Sequence, residues 1–416
     1  MRVFLTGATG LIGRSLAARL TAEGHAVTPV TRRMVDMEKA TIPEAWLPHL
    51  AGIDVVVNCA GVLQDSPRED TRAVHHLGAD ALFAACERAG IRRVIHFSAI
   101  GVDRAQPSAF SASKLAGDAA LMARDLDWVI LRPSVVLGRP VFGASALIRG
   151  LAALPLLPSM PGTAKLQVVR LEDVIETVLF FLQPTAPSKL ALELAGPDAF
   201  TMDELVALHR AWLGWPPARK MELGPRLAGL LYRAGDFAAA LGWRPPVRST
   251  AAREMARGAT GNPQPWTEIT GIHPQRLAQA LAREPATVQE KWFAGLYILK
   301  PAMFVVLPAF WLATAIISLT IGYQLGLDLL HVAGIFTLAG PLVVAGALAD
   351  FVIGSLIAFR RTTRLGLFGA LALSGFYIVA GTILRPDLWA EPLGPFLKIF
   401  PIVILHLVAL AILEER

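Results

Sequence analysis

Short β-branched runs alternate with stretches of helical period over residues 1–215, and after about residue 300 the pattern changes to long apolar blocks. The first region reads RVFLTG, HAVTPVTRR, IDVVVNCAG, RRVIHFSAIG and LDWVILRPS as five strands, with helical stretches such as RSLAARLTAEG, ALFAACERAG and KLAGDAALMARDL between them. Leu16 and Leu20 lie one helical turn apart, and Gly24 stops the first helix. Strands alternating with helices make βαβ units, and strands that are apolar throughout need cover on both faces. The pattern therefore predicts a doubly wound parallel sheet of the α/β class.

The apolar blocks run from Ala302 to Tyr323, Val332 to Phe359, Leu365 to Leu384 and Phe396 to Leu413. Each approaches or exceeds the roughly 20 residues that cross a hydrocarbon core, which predicts an all-α domain of four transmembrane helices. Between the second and third blocks stands RRTTR, Arg360 to Arg364, whereas the first connection, QLGLDLLH, carries no Lys or Arg and the third sets Arg385 against Asp387 and Glu391. By the positive-inside bias the arginine loop is cytoplasmic, and four crossings then place both chain ends there too. MRVFLTGATG leads straight into a strand and a glycine turn without an apolar signal core, in keeping with a first domain that stays in the cytoplasm. The expectation is a multi-pass protein of a bacterial inner membrane.

Composition agrees. With 54% hydrophobic residues and a mean hydropathy of +0.50, the chain is too apolar to be wholly soluble. The net charge of +6 is dispersed and much of it flanks apolar segments, so the lipid bilayer explains it better than nucleic acid. The two cysteines, Cys59 and Cys86, fall in a strand and a helix, as small core residues of a reduced compartment would. No cluster of Cys or His offers a metal or haem site. Inside the second apolar block, Asp350 shares a helical stripe with Gly346 and Gly354, a face suited to close helix packing, and His406 is its potential partner or a hydrogen-bonded bundle histidine.

The expected division is 1–215 for the α/β domain, 216–290 for a linker and 291–416 for the membrane domain. Within the linker, PRLAGLLYRAGDFAAALGW spaces Leu227, Leu231, Ala234, Phe237 or Ala238, and Leu241 by helical steps, as in a helix lying in a membrane interface or packed on protein. GNPQPW reads as a loop.

Gly7, Gly10 and Gly13 sit between the first strand and the first helix. Missing side chains there let the backbone approach a pyrophosphate, and the helix N-terminus supplies N–H donors and positive potential. The second strand ends in Arg32 and Arg33 rather than in an acid. An acid would hold the ribose 2′-hydroxyl of NAD(H), whereas arginine neutralises a 2′-phosphate, so NADP(H) is preferred and NAD(H) is the second choice.

TGATGLIG at Thr6 to Gly13, NCAG at Asn58 to Gly61, FSAIG around Ser98, the spacing from residue 110 to Lys114, LRPSVVLG at Leu131 to Gly138 and VRLEDV at Val169 to Val174 together resemble an atypical short-chain dehydrogenase/reductase. The resemblance covers about the first 215 residues. It implies that the glycine turn, with Thr9, Leu11 and Ile12, holds the pyrophosphate and that Ala60 and Gly61 line the adenosine. It also implies that Ser98 sits beside the reacting carbon, that Lys114 grips the nicotinamide ribose, and that Arg132, Pro133 and Ser134 begin the loop over the nicotinamide. The membrane half resembles the DoxX-like four-helix family.

One residue departs from the family pattern. Where a tyrosine would give up the proton of the reaction, this chain has Phe110. Lys114 keeps its role toward the ribose, so cofactor binding survives while acid catalysis, worth about 10²–10⁴ in rate, is removed. Ser98, Ser111, Ser113 or a water could replace the acid, and the ring of Phe110 could line a pocket for an aliphatic chain or simply pack. Two functions follow. One is a membrane-anchored oxidoreductase acting on a lipid-soluble molecule such as a quinone precursor, isoprenoid or acyl group. The other is a noncatalytic nucleotide-bound structural, assembly or redox-sensing factor of a membrane protein complex, resembling the nucleotide-binding accessory subunit of respiratory complex I.

Overall fold

The structure is a computed structural model and describes residues 1–66 and 69–413. The chain forms two compact units, one of Met1–Ala240 with Arg244–Gly295 and one of Leu241–Trp243 with the residues from Leu296 onward.

The first unit is built on strands β1 (Arg2–Thr6), β2 (Ala26–Pro29), β3 (Val55–Asn58), β4 (Arg93–Phe97) and β5 (Asp127–Pro133). All five predicted strands are present. A sixth, Leu190–Leu194, pairs with β5 and was not foreseen. The sheet order is β2-β1-β3-β4-β5 followed by this edge strand, with every pair parallel. Direction of winding reverses between β1 and β3, where doubly wound sheets open a crevice at the carboxyl ends of their strands. Successive residues point to opposite faces. Val3, Leu5, Val55, Val57, Ile95 and Val129 join one core, while Phe4, Val56, Val94 and Ile130 join another with Trp46 and Phe83. Helices α1 (Leu11–Ala22), α2 (Gly78–Ala89) and α3 (Ala109–Met122) cover these faces.

Residues 216–290 are not a linker. The helix Gln264–Thr270 takes up the end of the expected GNPQPW loop, and its Trp266 is fully buried in the first core with its indole N–H donating to Thr177 Oγ1 at 2.9 Å. Leu277 and Ala294 join a third core with Ile148, Leu205 and Val206. Fully burying a tryptophan is typically worth ~3–5 kcal/mol against its alanine variant, so this segment is part of the domain's stability.

In the second unit, Leu299–Leu319, Ala339–Ala358 and Thr363–Leu384 are long and apolar enough to cross a membrane. The fourth apolar block is helical only over Ile399–Ile412, 14 residues, which is about 21 Å of helix against a core of about 30 Å. The four expected full-length crossings are thus three and a short helix among the described residues. A further helix, Tyr323–Val332, fills the first connection. A Cβ on Gly354 would lie 3.0 Å from Leu312 N, so the glycine stripe does serve close packing. Asp350 is not paired with His406. Its carboxylate lies 3.5 Å from Tyr377 OH, while His406 Nε2 accepts from Trp311 Nε1 at 3.0 Å and its Nδ1 donates to Ile402 O.

Candidate functional site

The crevice between β1 and β3 begins with a turn that only glycine can make. Gly7 has φ +66°, and its carbonyl accepts from Gly10 N–H at 2.9 Å. A Cβ on Gly7 would lie 2.5 Å from Cys59 O, and one on Gly13 would lie 2.3 Å from Gly7 O. These contacts seat α1 directly on the turn and the turn on β3. Gly10 caps α1 without a side chain, and no acid stands in the first turn of the helix, so its N–H groups and positive end face the crevice. Leu11 and Ile12 pack on the core and can offer only backbone to a ligand, while Thr9 is exposed. The cradle fits a pyrophosphate.

At the end of β2 the two arginines differ. Arg33 is exposed. Arg32 lies 3.2 Å from Glu69 and 3.7 Å from Glu38, and Glu69 also pairs with Arg244 at 2.6 Å. The end of β2 therefore faces acids that the second strand alone does not reveal, one six residues on and one from a later loop.

A polar row crosses three strands behind the crevice. Thr6, Asn58 and His96 are register partners on β1, β3 and β4. Thr6 donates to Asn58 Oδ1 at 2.6 Å, and Asn58 Nδ2 lies 3.1 Å from His96 Nδ1. Because Asn58 Oδ1 also accepts from Ala60 N–H, its amide presents N–H to His96, leaving His96 Nε2 to carry the proton toward Asp118 Oδ1, 3.5 Å away. Asp118 has no exposed surface. Its Oδ2 accepts from Ser98 Oγ at 2.9 Å and from Arg132 at 2.9 and 3.1 Å. Burial raises this carboxyl above its usual range, and Arg132 opposes the rise.

α3 presents Phe110, Ser111, Ser113 and Lys114, and every hydroxyl offered as a replacement acid already has its proton committed. Ser98 donates to Asp118. Ser111 donates to Glu254 and accepts from Arg257, both on the helix Ser249–Arg257. Ser113 donates to Phe110 O at 2.9 Å and accepts from His75 Nδ1 at 2.8 Å. His75 is neutral: burial, then Lys114, hold its pKa well down, and its Nε2 accepts from Val62 N–H. The ring of Phe110 meets His75 edge-on at 5.5 Å.

Lys114 is buried, donating to Phe97 O at 2.7 Å and Ala60 O at 3.3 Å. A Cβ on Gly61 would come within 3.4 Å of its Nζ, so the lysine stands beside the Ala60-Gly61 turn. Burial pulls its pKa down to about 8, with Asp118 and Cys59 resisting. An ammonium has three donors and two are used here. In β5, Arg132 faces Asp118 and Asp103 rather than open crevice, and Pro133 continues the strand. Ser134 Oγ is buried without a hydrogen-bond partner, a position that a ligand's polar group would satisfy. The structure thus brings Gly7, Ala60, Gly61 and Lys114 together, and separately Ser98 and Arg132 around Asp118. Asp118 and His75 were missed in the sequence. Asp118 stands one helical turn beyond Lys114, and that spacing was its only signal.

Residues 7–147 match the NAD(P)H-binding family, and residues 308–407 match the DoxX-like family. The chain is 28% identical over 216 residues to a ceramide reductase of Caulobacter vibrioides, covering 49% of this chain and 68% of that one. It is also 28% identical over 256 residues to the Arabidopsis thaliana mitochondrial NADH dehydrogenase [ubiquinone] 1 alpha subcomplex subunit 9, covering 56% of this chain and 62% of the relative. Among solved structures, the Bordetella bronchiseptica enzyme WbmG in complex with NAD matches with a TM-score of 0.52 at 14% identity, over 71% of this chain and 95% of that one, a shared fold. The first unit has a Rossmann-like fold. The protein joins a domain similar to NAD(P)H-binding domains to one similar to the DoxX-like family.

Proposed function

We propose that the protein is an NADP(H)-dependent reductase of a lipid-soluble carbonyl compound, working at the cytoplasmic face of a bacterial inner membrane, with Lys114 as the proton donor. The observation that carries this reading is the buried lysine itself. With all three serine hydroxyls engaged and His75 held neutral, Lys114 is the group beside the crevice whose pKa, about 8, suits proton release near neutrality. A bound reduced nicotinamide supplies a hydride to a carbonyl carbon. Lys114 then gives its third ammonium proton to the oxygen that gains the charge and is recharged from solvent. Ser98, fixed by Asp118, and the Ala60-Gly61 turn position the reacting groups, while Arg33, with Arg32 held on Glu69, meets a 2′-phosphate.

A lipid-soluble substrate such as an acyl, isoprenoid or quinone-type molecule is supported by the apolar ring of Phe110, by the membrane domain and by the similarity to a ceramide reductase. The cytoplasmic face is supported by the arginines between Arg360 and Arg364. A cysteine replacing the exposed Arg361 should resist an impermeant maleimide in intact cells and react after permeabilisation; reaction in intact cells would reverse the orientation. The reductase reading is tested by single-turnover NADPH oxidation in the full-length protein in lipid nanodiscs, with ketones of increasing chain length. The rate should rise with chain length. Tight NADPH binding without oxidation of any ketone would instead favour a nucleotide-bound structural or redox-sensing role, the reading that Phe110 and the similarity to the Arabidopsis thaliana subunit support.

A further inference from the structure

The helix Pro225–Ala240 is packed the wrong way round for a helix that faces water. Its buried positions are small: Ala228, Gly235 and Ala239. A Cβ on Gly235 would come within 1.8 Å of Val247 O, so the helix lies hard against the chain that follows it. Its large apolar side chains point outward, with Leu230 61% and Phe237 66% exposed and Leu227 and Leu231 also exposed. At about 100° per residue these four fall within an arc of about 120°, the width of a single apolar face. Arg226 and Arg233 are exposed along one border of that face, whereas the helix's acid, Asp236, is turned inward to Gln64 at 2.9 Å and Ser249 N–H.

What covers this face is indicated by the next three residues. Leu241–Trp243 belong to the membrane unit. Trp243 donates its indole N–H to Ala358 O at 2.9 Å, and Ala358 is the last residue of the apolar span Ala339–Ala358. The Arg360 guanidinium lies 5.7 Å over the same indole ring, and Arg360 N–H donates to Leu241 O. A tryptophan and an arginine at the end of a span mark the headgroup level of a bilayer. The helix thus ends one residue short of a segment that belongs at that level, and its bordering arginines suit anionic headgroups.

We propose that the Pro225–Ala240 helix lies in the headgroup layer of the bilayer, with Leu227, Leu230, Leu231 and Phe237 among the acyl chains. The consequence reaches the nucleotide site. Gln64, three residues beyond Gly61, donates to Asp236 and accepts from Thr250 N–H at 3.1 Å, so the loop after the Ala60-Gly61 turn is tied to the lipid-facing helix.

The test uses the full-length protein in nanodiscs of phosphatidylethanolamine and phosphatidylglycerol, spin-labelled at Phe237→Cys, at Leu230→Cys or, as an aqueous reference, at Arg219→Cys on the exposed strand Arg219–Glu222. Burial pushes the native Cys86 thiol up to about 12 and raises Cys59 as well, so neither competes for label. Retained NADPH binding reports that each variant is folded. Labels at 237 and 230 should collide with oxygen in preference to an aqueous nickel chelate, with an oxygen-to-nickel ratio at least fivefold above that at 219. A ratio equal to that at 219 would overturn the proposal by placing the face in water. Poor access to both reagents would overturn it in favour of a protein partner. No turnover is read, so the outcome is independent of whether the protein is a reductase.

Discussion

The phosphate end and the nicotinamide end of the crevice are built by different means. At the phosphate end, backbone geometry does the work: Gly7 and Gly13 are required by contacts of 2.5 and 2.3 Å that a Cβ would make with the chain itself. At the nicotinamide end, side chains do it, and the usual phenol is replaced by Phe110 while the hydroxyls of Ser98, Ser111 and Ser113 are tied to neighbours. On the proposed reading, binding a nucleotide and reacting with it are separable: the fold fixes the first, and the charge of one buried lysine would decide the second.

Breaking the phosphate end should have the larger effect on affinity. Gly13→Val would drive side-chain atoms into the Gly7 carbonyl, and calorimetry should show NADPH binding weakened at least 100-fold, about 2.8 kcal/mol. At the other end, Lys114→Met should weaken binding less, by several-fold, because it removes a buried positive charge from beside an anionic dinucleotide. The lysine effect should also depend on pH. Burial lowers its pKa to about 8, so it is charged below that value and loses its charge as pH rises through it. NADPH affinity should be highest below pH 8 and fall several-fold above it, and Lys114→Met should flatten that profile. An unchanged profile in the variant would show that another group titrates. Smallest of all, Arg33→Ala should reduce a several-fold preference for NADPH over NADH, since Arg32 is already shared with Glu69 and Glu38. Equal affinities for the two cofactors in the wild type would remove the 2′-phosphate reading.

The same contrast explains what could be read from the chain. The βαβ alternation and the glycine turn are local patterns, and β1 to β5 and the first turn appear where the sequence puts them. The region 216–290 was misread because its order comes from single large residues in short helices, such as Trp266 in a seven-residue helix, which carry no sustained period. The edge strand Leu190–Leu194 was missed although it is apolar at four of its five positions. At the site, Lys114 was legible by spacing. The Glu69 partner of Arg32, the Arg244 partner of Glu69, and the Glu254 and Arg257 partners of Ser111 come from chain segments 37 to 175 residues distant in sequence, and no local pattern announces them. The short fourth apolar helix had looked like a full crossing because apolar length is not helix length: the run from Phe396 begins in a turn, and helix starts only at Ile399.

The central claim, a reductase whose proton comes from Lys114 and not from a phenol, is tested most directly by restoring the phenol. Single-turnover NADPH oxidation with a long-chain ketone should be measured across pH for the wild type and Phe110→Tyr in nanodiscs, with NADPH affinity measured alongside. The wild type should oxidise NADPH at a rate that falls as pH rises through about 8, and the tyrosine, a second proton donor, should raise the rate above that pH, where Lys114 has lost its charge. No oxidation by either protein, with tight NADPH binding by both, would contradict the account.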